Sequence, residues 1–476
     1  MTVEPSVDEQ VDKLKNEGNK YFAECRYQKA IDLYTQALDL KQSPTLLCNR
    51  AFAFLKAELP GAAISDADAA IALDPRCAKA YYRKATAHVE LGKHKEALKD
   101  YKLVLSILPG DPDAKAKFDL CEKEVRRIRF ENAIITQDGE PVSSTIKLGN
   151  IPDAYTGPRI SNDVVTPEFI DAMREWFRSE KLIARRDVVF LLQHVLAILK
   201  KQPNFISVSV PDGEDITVCG DTHGQFYDLL NIFALNGDPS PTNRYLFNGD
   251  FVDRGSYSFE NVMTLFAYKV LYPDHFFLSR GNHEGLEMNR VYGFEGEVRS
   301  KYSQEVFQLF SEVFCALPVG HIINDQIFVV HGGLYSTDDV TLEDLQKPNR
   351  FRGIPDTGLI CESLWSDPQP MNGRAPSKRG VSCPSFGPDV TERFLAKNKL
   401  KMVVRSHEVK EQGYVVEHNG KCITVFSAPN YCDTMGNLGA FVRFTGGVLE
   451  PKFTSFKHVV HPGKRPMMYS TGAGLL

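Results

Sequence analysis

The chain has 476 residues, of which 43% are hydrophobic and 25% charged, so its length and composition fit a globular protein of two or three domains. A formal net charge of -5 excludes a general attraction to nucleic acid or to an acidic membrane surface, and any anion binding therefore requires a local basic cluster. Ten scattered cysteines without a C-x-x-C pair predict reduced thiols rather than disulfides, and thus a cytoplasmic and nuclear location.

The first fifteen residues, MTVEPSVDEQVDKLK, lack the basic stretch and the apolar core of a signal peptide. No run of about 18 apolar residues occurs in the chain, so we expect no membrane span. From about residue 8 onward, apolar residues recur at helical spacing, which predicts a helical N-terminal region.

Residues 8–127 contain three copies of one helical pattern. The segments YQKAIDLYTQALDL, PGAAISDADAAIALDP and HKEALKDYKLVLSILP align on Ala30, Ala63 and Ala97. Three copies in phase predict three helix–turn–helix units rather than a bundle with accidental periodicity. Small residues that suit a close approach of paired helices share the period: Gly18, Ala51 and Ala85. The region resembles the tetratricopeptide repeat (TPR), a solenoid with a concave binding face, and CEKEVRRIRFENAI predicts a C-terminal extension helix.

Five polar residues of this region match the carboxylate clamp with which some TPR domains bind the acidic C-terminal tails of the chaperones Hsp90 and Hsp70. They are Lys15, Asn19, Asn49, Lys79 and Arg83. Two pairs, Lys15 with Asn19 and Lys79 with Arg83, have the spacing of one helical turn and so share a helix face. The alternative is that these are ordinary solvated side chains.

Three further segments follow the repeats. Residues 128–164 contain the turn-rich stretch TQDGEPVSSTIKLGNIPDAYTGPRI and are interpreted as a linker. The pattern then changes, and we expect a second domain over residues 165–460 with a C-terminal tail at residues 461–476.

Short apolar runs that each end in a polar loop dominate the second domain. The runs are ITVCGDTHG, YLFNGDFVDRG, HFFLSRGNHEG, IFVVHGG, MVVRSHE and ITVFSAPNYCD. Helical stretches at 181–200 and 303–317 alternate with them. This order predicts α/β layers around a central β-sandwich or sheet, with functional residues on the loops.

The loops carry six oxygen or nitrogen donors and no cysteine ligand: Asp221, His223, Asp250, Asn282, His331 and His407. Such a set suits manganese, iron or zinc ions and differs from the thiolate sites of structural zinc. Six donors are too many for one ion with an open position, but they can be divided between two ions if one carboxylate bridges them. Asp250 is central in the series and is the natural bridge.

The motifs GDTHG, GDFVDRG and GNHE, in this order, resemble the metallophosphoesterase signature. Two further blocks, RGVSCPSFG and SAPNYCD, are similar to the phosphoprotein phosphatases specific for serine and threonine. With three TPR units in front, the chain resembles the type five members of that family. The resemblance implies a multidomain protein: an all-α TPR solenoid followed by an α/β metallophosphoesterase domain with a central β-sandwich.

The resemblance also implies roles for the site residues. Asp221 and His223 would bind the first metal, Asp250 would bridge, and the second site would be completed by Asn282, His331 and His407. His283 would be the general acid that protonates the leaving oxygen, while Asp253 would orient it and favour its protonated form. Glu284 would not contact metal or substrate.

Four residues would bind or surround the substrate phosphate. Arg254, Arg379 and Asn282 would contact its oxygens, and Tyr431 would shape the pocket. The planar guanidinium of each arginine can donate to two phosphate oxygens at once. The expected reaction needs no phospho-enzyme: a hydroxide bridging the two metals, manganese in vitro and iron or zinc natively, attacks phosphorus in line.

Three functions remain open from the sequence. The favoured one is a monomeric phosphatase acting on phosphoproteins, autoinhibited by its TPR domain and activated by Hsp90-type chaperone tails. The second is an inactive chaperone-binding scaffold, although such a protein would be expected to have lost metal ligands. The third is a phosphoesterase for nucleotides or small esters, which RGVSCPSFG and SAPNYCD argue against.

Overall fold

The computed structural model describes residues 6–135 and 140–470, and within them the side chains of residues 130–135 are not described. The chain divides into two compact units, and the boundary at 139/140 falls inside the predicted linker. Residues 136–139 of that linker and residues 471–476 of the predicted tail lie outside the described residues. The predicted domain limits stay predictions.

The first unit is helical. Its described part contains α1 (Val7–Ala23), α2 (Tyr27–Leu40), α3 (Pro44–Lys56), α4 (Pro60–Leu73), α5 (Ala78–Glu90), α6 (His94–Ile107) and α7 (Pro112–Ile135). The first six pack as three consecutive pairs, and α7 packs on α6. This order confirms three helix–turn–helix units and an extension helix. The short segment of residues 377–381 groups with this unit.

Small residues let the paired helices approach closely. The three alanines on which the repeats align, Ala30, Ala63 and Ala97, have no solvent exposure. A Cβ atom added to Gly18 would lie 2.7 Å from the Tyr34 ring, well inside van der Waals contact. Glycine is therefore required at the crossing of α1 and α2.

The second unit alternates strands with helices. Its strands are β1 (Phe205–Val208), β2 (Asp215–Cys219), β3 (Asn243–Phe247), β4 (Phe276–Leu278), β5 (Gly320–Ile323), β6 (Ile327–Val330), β7 (Asp367–Pro368), β8 (Arg374–Pro376), β9 (Pro384–Phe386), β10 (Met402–Arg405), β11 (Tyr414–Glu417), β12 (Cys422–Val425), β13 (Gly439–Thr445) and β14 (Lys452–Phe456). Its helices are α8 (Val142–Thr145), α9 (Pro167–Arg178), α10 (Arg185–Leu199), α11 (Phe226–Asn236), α12 (Ser258–Leu271), α13 (Leu286–Tyr292), α14 (Phe294–Lys301), α15 (Gln304–Ala316), α16 (Leu342–Gln346), α17 (Leu359–Trp365) and α18 (Pro388–Asn398).

Two main sheets are formed by these strands. One has the order β1-β5-β6-β10-β12-β11 and the other β14-β13-β2-β3-β4, with a small third sheet β7-β9-β8. The strands β2, β3 and β4 run parallel, as do β6, β10 and β12. Their carboxyl ends therefore lie at one edge of each sheet, the usual place for a site in α/β folds.

The main sheets pack face to face. Ile216 and Leu246 of one sheet share a buried cluster with Val404 and Ile423 of the other. The outer faces are covered by helices: β3 packs with α10 and α12, and β6 packs with α17 and α18. The predicted central β-sandwich between helical layers is confirmed. In the described ranges no helix is both long and apolar enough to cross a membrane.

Candidate active site

The six predicted metal ligands lie in loops that follow parallel strands of both sheets. Asp221 and His223 follow β2, Asp250 follows β3, Asn282 follows β4, His331 follows β6, and His407 follows β10. All six side chains are buried. Face-to-face packing of the sheets brings the two sets of loops together.

His331 marks one half of the ligand group. Its Nε2 atom lies 2.9 Å from Asn282 Oδ1, 3.2 Å from His407 Nδ1 and 3.3 Å from Asp250 Oδ2. On the other side of the ring, Nδ1 donates to the carbonyl oxygen of Asn248 at 2.8 Å. This bond fixes the tautomer and leaves the Nε2 lone pair directed at the other ligands.

His223 marks the other half. Its Nε2 atom lies 3.6 Å from Asp221 Oδ2 and 3.5 Å from Asp250 Oδ2, while Nδ1 donates to the carbonyl oxygen of Val252 at 3.0 Å. The same Asp250 oxygen thus lies between the Nε2 atoms of His223 and His331. A carboxylate oxygen in that position can serve two ions at once.

The electrostatics of the cluster fit metal ions. Burial raises the pKa of Asp221 to about 7 and lowers the pKa values of His223 and His331. The imidazoles are therefore held in the neutral form that binds metals, whereas the buried Asp221 carboxylate lacks enough positive charge around it. A cation among these donors would supply that charge, so the residues present fit a two-metal centre.

His283 lies beside this cluster. Its ring, with His223 and Asp250, forms a group in which one ligand atom of each lies within 4.8 Å of the others. Its Nδ1 atom is 2.8 Å from Asp253 Oδ2, and its backbone N–H donates to Asp250 Oδ1 at 2.9 Å. The ring is thus placed for either proton transfer or metal binding, and the Asp253 contact is the arrangement expected of an oriented general acid.

Asp253 is itself held by its surroundings. Its Oδ2 atom accepts from Asn289 Nδ2 at 3.0 Å, and its Oδ1 atom accepts from the backbone N–H of Phe294 at 2.9 Å. Burial raises the pKa of Asp253 to about 7. Asn289 also donates to the carbonyl oxygen of His283 at 2.7 Å, so one amide braces both members of the pair.

Several site residues have a backbone conformation that side chains rarely adopt. The φ angles are 40° at His223, 53° at Asp250, 70° at Asp253, 67° at Arg254 and 71° at His407. Each such residue costs on the order of 1–3 kcal/mol and persists where neighbouring structure over-determines it. Strain concentrated in these loops is typical of a functional site.

Glu284 has a structural role that the sequence did not reveal. Its carboxylate accepts from the backbone N–H groups of Asp250, Phe251 and Gly281, each at 2.8 Å. It thereby ties the loop after β3 to the loop after β4. Glycine at 281 is also needed, because an added Cβ atom would lie 2.2 Å from Asp250 Oδ1.

We expect Glu284→Ala to lower the free energy of unfolding of the second unit by about 3 kcal/mol or more, because three buried N–H groups lose their acceptor. Glu284→Gln retains one acceptor oxygen, so its free energy of unfolding should lie between those of Glu284→Ala and the parent. Denaturant unfolding and metal content measured on all three proteins check the expectation. A Glu284→Ala protein with parental stability and metal content would show that the carboxylate does not brace the loops.

Two of the predicted phosphate-binding residues, Arg254 and Tyr431, lie against aromatic rings of the second unit. The Arg254 guanidinium lies over the Tyr292 ring, 3.9 Å from its centroid, and the buried Tyr431 ring lies 5.2 Å from the ring of His223. Arg379 is buried too, but it belongs to residues 377–381, which group with the helical unit. Its role in binding phosphate stays a prediction.

The five predicted clamp residues lie on the first helix of each pair. Lys79 Nζ donates to Asn49 Oδ1 at 2.9 Å, and Asn49 Nδ2 donates to Asn19 Oδ1 at 3.4 Å. Lys15 forms a 2.6 Å ion pair with Asp12 of its own helix. Arg83 lies 3.6 Å above the Phe52 ring, and burial lowers the pKa values of Lys79 and Arg83. Direct hydrogen bonds thus link three of the five predicted clamp residues, namely Asn19, Asn49 and Lys79.

Comparison with known proteins identifies the family. Models of the calcineurin-like phosphoesterase, of the PPP5 TPR repeat region and of the tetratricopeptide repeat match residues 215–411, 118–207 and 48–112. The chain is 69% identical over 467 residues to serine/threonine-protein phosphatase T of Trypanosoma brucei brucei, covering 98% of this chain and 99% of that protein. The chain belongs to the serine/threonine-protein phosphatase 5 family.

Two more relatives agree with this assignment. Human serine/threonine-protein phosphatase 5 is 48% identical over 474 residues, which cover 98% of this chain and 95% of that protein. A solved Saccharomyces cerevisiae protein serine/threonine phosphatase, described as similar to human phosphatase PP5, is 43% identical with a TM-score of 0.62. It covers 64% of this chain and 100% of its own. The predictions of family, fold class and enzyme class are confirmed: the chain is a protein serine/threonine phosphatase.

Proposed function

We propose that this chain hydrolyses phosphoserine and phosphothreonine in proteins at a centre of two metal ions that share Asp250. The observation that carries the proposal is the position of Asp250 Oδ2, which lies 3.5 Å from His223 Nε2 and 3.3 Å from His331 Nε2. Asp221 and His223 would complete the first site. Asn282, His331 and His407 would complete the second. When bound, the ions would lower the pKa of a water molecule and offset phosphate charge.

The donor set indicates which ions could be held. Imidazole nitrogens with carboxylate and amide oxygens suit manganese, iron and zinc, and we infer that the centre takes ions from this group. The backbone acceptors on the Nδ1 atoms of His223 and His331 hold the rings in the orientation needed for binding through Nε2.

His283 is the proposed proton donor to the leaving serine or threonine oxygen. An alkoxide is a poor leaving group, and a positioned imidazolium assists such a departure by about 10²–10⁴-fold. The Asp253 carboxylate at Nδ1 stabilises the positive charge on the ring and directs Nε2–H away from itself. The nucleophile is water, so the reaction requires no covalent intermediate between the phosphoryl group and a residue of this chain.

Phosphate binding is assigned to Arg254, Arg379 and Asn282, with Tyr431 as a wall of the pocket. The Tyr292 ring supports the Arg254 guanidinium through a cation–π contact and holds its plane in place. A fixed guanidinium can donate two parallel hydrogen bonds to phosphate oxygens as negative charge develops on them.

A comparison of substrates at equal concentration tests the proposal. The metal-loaded chain should hydrolyse a phosphoserine peptide with a higher kcat/KM than a nucleoside monophosphate. A preference for the nucleotide would favour the alternative of a small-ester phosphoesterase. Lack of hydrolysis of both substrates by a protein that holds two ions would contradict the proposed chemistry.

We also propose that acidic C-terminal tails of Hsp90-type chaperones bind the clamp residues and relieve an inhibition by the TPR domain. The linked Asn19, Asn49 and Lys79, with Arg83 one turn along α5, support the anion-binding part. The regulatory part is what the resemblance to the type five phosphatases implies. A tail shifts the equilibrium between the inhibited and the active form only by its difference in affinity for the two forms. A 100-fold difference in affinity is worth about 2.7 kcal/mol.

We expect a peptide that ends in the acidic chaperone sequence to raise the activity of the full chain. Lys79→Ala with Arg83→Ala should abolish this response and leave the activity of a fragment starting near residue 150 unchanged. Lys95→Ala with Lys99→Ala is the matched control, because it removes the same charge at the same helical spacing from exposed positions of α6. Equal activity of full chain and fragment would contradict inhibition by the TPR domain. A response that survives the first double change would contradict the clamp.

A further inference from the structure

Two cysteine side chains meet beside the clamp residues. Cys48 Sγ and Cys77 Sγ are 3.7 Å apart, although the two residues are separated by 29 positions in the chain. Cys48 lies inside α3 and Cys77 is the residue that precedes α5. Both cysteines are free thiols. The contact therefore joins the first helices of the second and third repeats.

A disulfide between them requires only a small movement. The S–S bond is about 2.05 Å long, so the sulfur atoms would have to approach by roughly 1.7 Å. Cys77 is the N-cap of α5, and its carbonyl oxygen accepts from the backbone N–H groups of Ala80 and Tyr81. Rotation about the Cα–Cβ bond of Cys77 moves its Sγ atom and leaves these backbone hydrogen bonds in place.

The two thiols differ in access to solvent. Cys48 is only 1% exposed. Burial raises the pKa of its thiol to about 12, although the positive charges of Lys79 and Arg83 act to lower it. Cys77 is half-buried, so a small oxidant in solution can reach it. An accessible thiol in contact with a buried one has the arrangement of an attacking and a resolving cysteine.

We propose that Cys48 and Cys77 form a peroxide-sensitive dithiol whose disulfide locks α3 to α5 and weakens the binding of acidic peptides to the clamp. The first step forms an S–O bond as Cys77 Sγ attacks hydrogen peroxide. The O–O bond breaks, and the leaving hydroxide takes the thiol proton to become water. Cys48 Sγ then attacks the sulfenic sulfur of Cys77, the S–O bond breaks, and the departing hydroxide leaves as water with the Cys48 proton. Two thiols are oxidised and one peroxide is reduced to two waters.

The coupling to the clamp follows from sequence neighbours. Asn49 comes directly after Cys48, and Lys79 comes two residues after Cys77. These two side chains are joined by the 2.9 Å hydrogen bond that spans α3 and α5. Drawing the sulfur atoms together changes the separation of the groups that would hold a carboxylate. This part of the inference rests on the proposed chaperone-tail function, whereas the dithiol does not.

The dithiol is tested on the full chain treated with hydrogen peroxide. Mass spectrometry of unreduced peptides should show a cross-linked species that contains residues 48 and 77. Its mass should be that of the two peptides less two hydrogens, and a reductant should separate it into the two peptides. Cys77→Ser should abolish the species, and Cys25→Ser, a change at another half-buried cysteine of the same unit, should retain it. Oxidation of Cys77 to sulfinic acid without the cross-link would overturn the dithiol.

The coupling is tested by measuring binding of an acidic chaperone-type peptide to the reduced and oxidised chain. Oxidation should raise the Kd about tenfold, the order expected for one lost hydrogen bond to a charged group. Peroxide should leave the Kd of Cys77→Ser unchanged. An equal Kd for both states of the parent would refute the coupling. If the reduced chain does not bind the peptide, the clamp assignment and the coupling are both contradicted. The mass-spectrometric cross-link between residues 48 and 77 still tests the dithiol by itself.

Discussion

Asp250→Asn is expected to remove bound metal from both sites and to lower kcat/KM for a phosphoserine peptide by at least about 10³-fold. The physical reason is the shared position of Asp250 Oδ2 between His223 and His331. A neutral amide at this position has no negative charge to share between two cations, so both ions would bind more weakly, and metal ions supply several kcal/mol of transition-state stabilisation. Metal analysis of the purified protein and steady-state kinetics measure the two effects.

A matched control separates this effect from the loss of any buried carboxylate. Asp187 is fully buried and lies outside the metal-ligand groups. Asp187→Asn should therefore retain two ions per chain and most of the activity of the folded protein. Two ions and normal turnover in Asp250→Asn would contradict the assignment of the bridge.

His283→Asn is expected to retain both metal ions and to lower kcat for a phosphoserine peptide by about 10²–10⁴-fold. The same variant should lose much less activity towards p-nitrophenyl phosphate, because its leaving group is stable as an anion and needs little protonation. Asp253→Asn should show the same dependence on the leaving group to a smaller degree, since it removes the charge at Nδ1 but keeps the imidazole.

The metal content of His283→Asn decides between the two roles that its position permits. His283 lies within 4.8 Å of the ligand atoms of His223 and Asp250, so a role as a metal ligand is a concrete alternative. Loss of one ion, with equal loss of activity towards both substrates, would assign His283 to the first metal. That result would overturn its role as the general acid.

The positions of the six candidate ligands were predictable because sequence patterns mark where strands end. Each ligand follows an apolar run directly or after a short turn, and a residue at the end of a parallel strand lies at the edge of its sheet. The strand order was not predictable in the same way. In the six-stranded sheet, β10 pairs with β6 and β12 although long segments of chain separate β6 from β10. Such pairing depends on contacts that no local pattern encodes.

The supporting residues were missed for a related reason. Glu284 accepts from three backbone N–H groups, and Asn289 donates to a backbone carbonyl oxygen and to Asp253. Backbone groups occur at every residue and leave no mark in a sequence, so the partners of these side chains appear only in three dimensions. The positive φ angles of His223 and His407 are likewise invisible, because non-glycine residues there give no indication of the strain.

Anomalous X-ray diffraction from crystals of the metal-loaded full chain tests the two-metal centre most directly. The predicted result is two anomalous peaks, both in contact with Asp250, with Asp221 and His223 at one peak and with Asn282, His331 and His407 at the other. His283 should contact neither. A single peak, or two peaks of which only one touches Asp250, would contradict the account.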